Sequence, residues 1–232
     1  MLKKINACYR AVMKHSRDKL LGFPRRSDNE YATHVPYLVG AVGITRAKRV
    51  LEIGCGLFST LTFLDRTACP SVEVLDSFED DSEWFESMMT LVGGDARANL
   101  QFRRSPLSAT VELLDLADYD LILVDDSRTR EERTGTLRSV FSRWTSVNVA
   151  LVHDFEIGEY RHASACPLER LTLNAYCPCT GVLWRKDRLD RAPMRELKRT
   201  VAKNSARLDV ADAQGWRQVF AQSLSGFSRL TD

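Results

Sequence analysis

From Arg49 onward the chain alternates short, β-rich apolar runs with longer amphipathic stretches, and no other feature restricts its fold as much. The apolar runs are Arg49–Cys55, Val72–Phe78, Leu100–Arg103, Asp120–Val124 and Val149–His153. Between them lie Phe58–Arg66, Ser82–Val92, Leu107–Leu116 and Glu131–Trp144, whose apolar spacing is helical. Strands alternating with helices imply parallel pairing through right-handed crossovers, with helices on both faces: a doubly wound α/β sheet. The end departs from this alternation. Leu171–Cys177 and Gly181–Lys186 are apolar runs separated only by Pro178, Cys179 and Thr180. A parallel crossover needs a dozen or more residues, so this pair is expected to form an antiparallel hairpin. The expected architecture is a seven-stranded, mostly parallel sheet with an antiparallel closing hairpin and helical extensions at both ends.

The pattern divides the chain into an N-terminal helical segment over 1–46, a sheet domain over 47–187 and a C-terminal helical extension over 188–232. Helical spacing runs through Ile5, Cys8, Tyr9, Val12 and Met13, and again over Pro193–Leu208 and Ala213–Leu224. A length of 232 residues suits one α/β domain with an appendage, and 44% hydrophobic against 28% charged residues suits a packed core rather than disorder. A net charge of +2 offers no field for nucleic acid or an anionic membrane. Lys3-Lys4 and Arg25-Arg26 read as solvated surface. No apolar run approaches the roughly 18 residues of a membrane span. Residues 1–20 lack the basic start and apolar stretch of a signal peptide, so a cytoplasmic protein is expected. In that compartment six cysteines do not form a disulfide framework. Cys166, Cys177, Cys179 and His162 could supply soft metal ligands. A Cys-x-Cys step beside one distant Cys lacks paired zinc-knuckle spacing, however, and buried thiols at a strand pair are expected instead.

The first strand ends in Glu52-Ile53-Gly54-Cys55-Gly56, followed by an amphipathic helix. Gly54 and Gly56 remove side chains where a strand turns sharply into a helix, so a ligand can approach the backbone. The second strand ends in Glu79, followed by Asp80, Asp81 and Trp84. A carboxylate there can accept both hydroxyls of a ribose, while an acid such as Asp81 suits a helix N-cap.

The segments Val50–Phe63, Val72–Phe85 and Tyr119–Asp126 resemble the first, second and fourth-strand motifs of class I S-adenosylmethionine-dependent methyltransferases. The closing hairpin resembles that family's last two strands, and the resemblance runs from about Tyr31 to Lys186. It implies S-adenosyl-L-methionine as cofactor. Glu52 would sit near the cofactor's amino group, with Gly54 and Gly56 beneath its methionine part. Glu79 would hold the ribose, and Asp80 or Phe78 would lie near the adenine. Ser105, at the end of the third strand, would pass the adenine edge without the acid many relatives carry there. Asp125 joins this set from the fourth strand. A nicotinamide dehydrogenase is the main rival, but Ser59 stands where its third glycine belongs, and Glu52 would repel a pyrophosphate. A non-catalytic binding or scaffold protein on the same fold is a second alternative, and aminopropyl transfer a weaker third.

Methyl transfer from a sulfonium demands mainly alignment, with a base where the acceptor is a hydroxyl or ammonium. Ligands of an open α/β sheet lie outside the carboxyl ends of its strands, which selects Asp125, Asp126, His153 and Asp154. His153, Asp154 and His34 are the expected catalytic residues, His153 or His34 removing a proton. Asp125 and Asp126 are alternatively caps of the helix near Arg130. Magnesium on Asp125 or Asp126 with Asp154 is not expected, because Phe155 stands where an oxygen ligand would follow Asp154. The segment Tyr31–Tyr37 reads either as a lid over the cofactor or as a helix start with Tyr37 buried. Arg128, Arg130 and Arg133 either bind an anionic acceptor or pair with Glu131 and Glu132 on a wet helix face, the latter being preferred. A small-molecule acceptor is expected, with no nucleic-acid or membrane partner and a homodimer possible through the terminal helices.

Overall fold

The computed structural model describes residues 30–104, 106–126, 129–144, 149–164, 168–185, 187 and 189–223. The helical spacing at residues 5–13, the basic clusters, and Cys8, Ser105, Arg128 and Cys166 lie outside them. Seven strands form one sheet: β1 (Arg49–Ile53), β2 (Val74–Glu79), β3 (Ala98–Phe102), β4 (Leu121–Val124), β5 (Val149–Val152), β6 (Glu169–Leu173) and β7 (Thr180–Trp184). Their order is β3-β2-β1-β4-β5-β7-β6. Every pairing among the first five is parallel, and β7 runs antiparallel to both β5 and β6. The hairpin therefore closes the sheet as the short connection requires. β6 starts earlier than the apolar run suggests and ends at Leu173, so residues 174–179 make the connection.

Both faces of the sheet are covered, and the strands show it by their two-residue period. Leu121, Leu123, Val149, Leu151, Val182 and Trp184 face one core, while Ile122, Val124, Ala150, Val152 and Leu183 face the other. On the first face lie α1 (Val35–Thr45), α2 (Leu57–Leu64), α7 (Arg191–Asn204) and α8 (Ala213–Ser223). On the second lie α4 (Leu107–Leu113), α5 (Arg130–Ser142) and α6 (Gly158–Ala163), while α3 (Ser82–Val92) follows β2. Nine of the eleven residues of α1 are buried, because it is sandwiched between the sheet and the C-terminal helices. A Cβ at Gly40 would collide with Leu197 and approach Phe220. Met194, Leu197, Val201, Trp216 and Phe220 thus spend the apolar sides of α7 and α8 inside this chain. A homodimer through these helices would have to use their polar sides. Among the described residues no helix is long and apolar enough to cross a membrane.

Candidate active site

β1 hands over to α2 through Gly54-Cys55-Gly56. Gly54 has φ +91°, and a Cβ on it would stand 2.5 Å from the Asp125 carbonyl oxygen and 2.6 Å from the Asp126 Cα. Glycine is required there by the backbone leaving β4. Gly56 borders the cavity itself, its amide donating to Thr60 Oγ1 at 3.0 Å. The Thr60 hydroxyl donates in turn to Glu52 Oε2 at 2.7 Å, and Ser77 donates to the same oxygen at 2.5 Å. Glu52 is fully buried, and this burial pushes its carboxyl up to about 7 against the hydroxyls that favour its charge. Glu52 sits beneath the turn and shapes it through Thr60, outside the cavity lining.

At the tip of β2, Glu79 accepts through Oε1 from the Asp80 and Asp81 amides, both at 2.9 Å, and through Oε2 from the Cys55 thiol at 3.5 Å. Burial raises it to about 7. Asp81 caps α3, accepting from the Glu83 and Trp84 amides, as its position before the helix implied. The Trp84 indole donates to the Cys55 carbonyl at 2.7 Å, tying α3 to the glycine turn and standing as a partly exposed wall. Asp80 lines the cavity. Phe78 does not: it is a core residue, with the Arg103 guanidinium 5.6 Å from its ring centroid.

On the other side of β1, the tips of β4 and β5 bring together a network of charges. Asp125 Oδ1 lies 3.1 Å from His153 Nδ1 and 3.1 Å from the Arg133 guanidinium, whose other arm reaches Asp154 at 3.0 Å. Thr33 Oγ1 lies 3.0 Å from His153 Nε2. Burial alone would raise Asp125, but His153 and Arg133 outweigh it and hold the carboxyl well below the usual carboxylate range. Burial opposes the charge on His153, yet Asp125 and then Asp154 move its pKa up. His34 packs edge-on to His153 with ring centroids 4.9 Å apart. Burial, and then His153, push His34 down to about 3, so it is neutral.

Several expectations are corrected here. The cap of α5 is Thr129, which accepts from the Glu132 amide, not Asp125 or Asp126. Asp126 is buried against Thr136, whose hydroxyl donates at 2.6 Å, and burial raises it to about 7. Arg133 does not sit on a wet face with Glu131 and Glu132. It shares the inner face of α5 with Leu137 and Val140, at i+4 and i+7, and so turns toward the strand tips. Phe155 plugs the core over Gly181, where a Cβ would collide with its ring. The Tyr31–Tyr37 segment serves both readings. Exposed Tyr31 and buried His34 border the cavity, whereas Tyr37 is core and its hydroxyl accepts from the Ala175 amide at 3.1 Å. Cys177 and Cys179 are buried and form no disulfide among the described residues.

One cavity of about 710 Å³ joins the two sides, running past Glu79 and Trp84, Gly56, and the His34, Asp125 and His153 cluster. Sequence reasoning passed over Thr33 and Trp84. Arg133 was readable from the spacing of α5, but Thr33 and Trp84 carry no signal beyond their neighbours.

Comparison with known proteins places this arrangement on a familiar fold. The family model described as Glycosyl transferase family 21 matches residues 104–183, about a third of the chain, without β1, β2 or Glu79. No curated protein matches by sequence. Solved structures do match. An SAH-bound methyltransferase of Podospora anserina has a TM-score of 0.51 and 16% identity over 64% of this chain and 76% of its own. A Staphylococcus aureus protein described as a caffeoyl-CoA O-methyltransferase has a TM-score of 0.51 and 9% identity over 79% of this chain and 98% of its own. The spermidine synthase of Thermotoga maritima has a TM-score of 0.52 and 15% identity over 72% of this chain and 62% of its own. The fold is the Rossmann-like fold of class I S-adenosylmethionine-dependent methyltransferases, and it carries more than one reaction.

Proposed function

We propose that the chain is an S-adenosylmethionine-dependent methyltransferase acting directly on an oxygen or nitrogen of a small-molecule acceptor. The observation that carries this reading is the single cavity linking a ribose-type carboxylate at the β2 tip to a proton-handling pair at the β4 and β5 tips. The donor set fits the cofactor. Glu79 engages two amides through one oxygen and leaves the other, beside the Cys55 thiol, to accept ribose hydroxyls. Trp84 and Asp80 border the space for the adenine. Asp125, ionised and with its backbone against Gly54, takes the ammonium role first assigned to Glu52.

When bound, S-adenosylmethionine supplies a methyl group on a sulfonium, and displacement needs chiefly an aligned nucleophile. His153, oriented through Nδ1 by Asp125, receives the acceptor's proton on Nε2, where the acceptor takes the place of the Thr33 hydroxyl. Arg133 and Asp154 hold that pair in place. A nicotinamide dinucleotide fits less well. The cationic Arg133 on the cavity wall is committed to Asp125 and Asp154, so it does not serve a pyrophosphate. A purely structural role would leave this buried charge network without a chemical use. Calorimetry tests the reading: S-adenosylhomocysteine is expected to bind with one equivalent and NADH to give no heat. Binding of NADH alone overturns it.

A further inference from the structure

We propose that His34, Asp125 and His153 form a binding site for a zinc-type divalent transition-metal ion at the acceptor end of the cavity. One ligand atom from each lies within 4.8 Å of the others. The three come from separate parts of the fold: the residue before α1, the tip of β4 and the tip of β5. The cluster is therefore assembled by the tertiary structure and not by a local turn.

The observation that asks for a ligand is His34. It is only 3% exposed, and neither ring nitrogen has a hydrogen-bond partner among the described residues. Leaving a buried polar group unpaired is destabilising, and such groups call for an explanation. An imidazole nitrogen offers a lone pair that a metal ion would satisfy. Asp125 supplies the carboxylate ligand. Two imidazoles and a carboxylate are the donors of three-ligand zinc sites that keep a fourth position open, and nitrogen donors disfavour magnesium. Zinc bonds of about 2.0–2.1 Å place ligand atoms about 3.4 Å apart, so the widest pair must draw in by about 1.4 Å, within reach of side-chain torsions. Arg133 beside Asp125 opposes a further cation, while Asp154 offsets that guanidinium at 3.0 Å. Ligation requires His153 to give up its contact with either Asp125 or Thr33.

The consequence for catalysis rests on the methyl-transfer reading, although the site itself does not. A metal on His153 occupies the lone pair with which it would accept a proton. Zinc and proton acceptance then exclude one another, and zinc inhibits the transfer.

The test uses the whole chain after chelator treatment, titrated calorimetrically with zinc chloride and with magnesium chloride. One equivalent of zinc is expected to bind and magnesium to give no heat. His34→Ala and His153→Ala should each weaken zinc binding at least about tenfold. His34→Gln repeats the test with side-chain volume kept, in case alanine impairs folding. Cobalt(II) should show visible bands of a four-coordinate ion without a thiolate charge-transfer band. Absence of zinc binding, unchanged binding in both His34 variants, or a thiolate band assigning the ion to Cys177 and Cys179 overturns the site. Titration of separate, zinc-free samples with S-adenosylhomocysteine separates the two ideas, because zinc on Asp125 would itself compete with that ligand's ammonium. Zinc lost with that ligand still bound defeats the metal site alone. Zinc bound without it supports the site and defeats the methyltransferase reading.

Discussion

Asp125 and His153 shift in opposite directions because each stabilises the other's charge, and Arg133 deepens the shift on Asp125. His34, whose ring lies against His153, is neutral for the opposite reason: burial without a partner. The two histidines should therefore part company in an NMR titration. His153 is expected to lose its proton above the ordinary imidazole range, and His34 to remain neutral down to about pH 5. Asp125→Asn should bring the His153 midpoint down; an unmoved midpoint would mean that the 3.1 Å contact does not set it. Glu79→Ala should weaken S-adenosylhomocysteine binding by about 1–3 kcal/mol, the value of hydrogen bonds to a charged acceptor. Unchanged affinity in a folded variant would move the ribose elsewhere. Glu79, Asp81 and His153 could be read from the chain because a strand-tip position follows from where an apolar run stops. The burial of Glu52 could not. Its fate depends on Thr60 and Ser77 arriving from two other elements, and a carboxylate in a strand looks the same whether it faces a ligand or the underside of a turn.

The strands and the helices between them were readable at the level of elements, because the two-residue and 3.6-residue periods differ sharply. α6 was not, because a six-residue helix is too short for a 3.6-residue period to show. α1 was half readable. Its residues are apolar on all sides, so no stripe announces a helix, and only packing against sheet and helices together explains it. The closing hairpin has a further dependence that sequence does not reveal. Gly181 on β7 accommodates the Phe155 ring, one residue beyond Asp154. Gly181→Ala should cost about 1–3 kcal/mol in chemical denaturation, as overpacking does, and should disturb the Arg133–Asp154 contact. Wild-type stability in that variant would show that Phe155 has room to move.

Taken across the whole molecule, the buried acids give stability a direction with pH. Glu52, Glu79 and Asp126 all rest near 7, above their values of 4.5, 4.5 and 3.8 outside the fold. Their contribution is fully present below those lower values and is lost as pH rises through about 7. His153, raised from 6.5, loses its contribution in the same direction. His34, lowered to about 3, acts oppositely but only below 6.5, where its unfolded form takes up a proton. Asp125, held low, matters only in stronger acid. The ligand-free Tm should accordingly fall between about pH 4.5 and about pH 7, and Glu52→Gln should remove part of the fall. A flat profile would mean that these carboxyls are not desolvated in solution.

The position of α1 bears on how the protein is made. As the first described α-helix to leave the ribosome, it needs covers, α7 and α8, that are translated long after it. At about 5–20 residues per second that interval is on the order of ten seconds, during which an apolar cylinder has its outer surface wet. Gly40 makes the wait stricter, since Leu197 and Phe220 pack into the groove it leaves. A message cut short before Arg191 would yield a chain able to complete its sheet yet unable to hide its own α1, a product for chaperones and proteases.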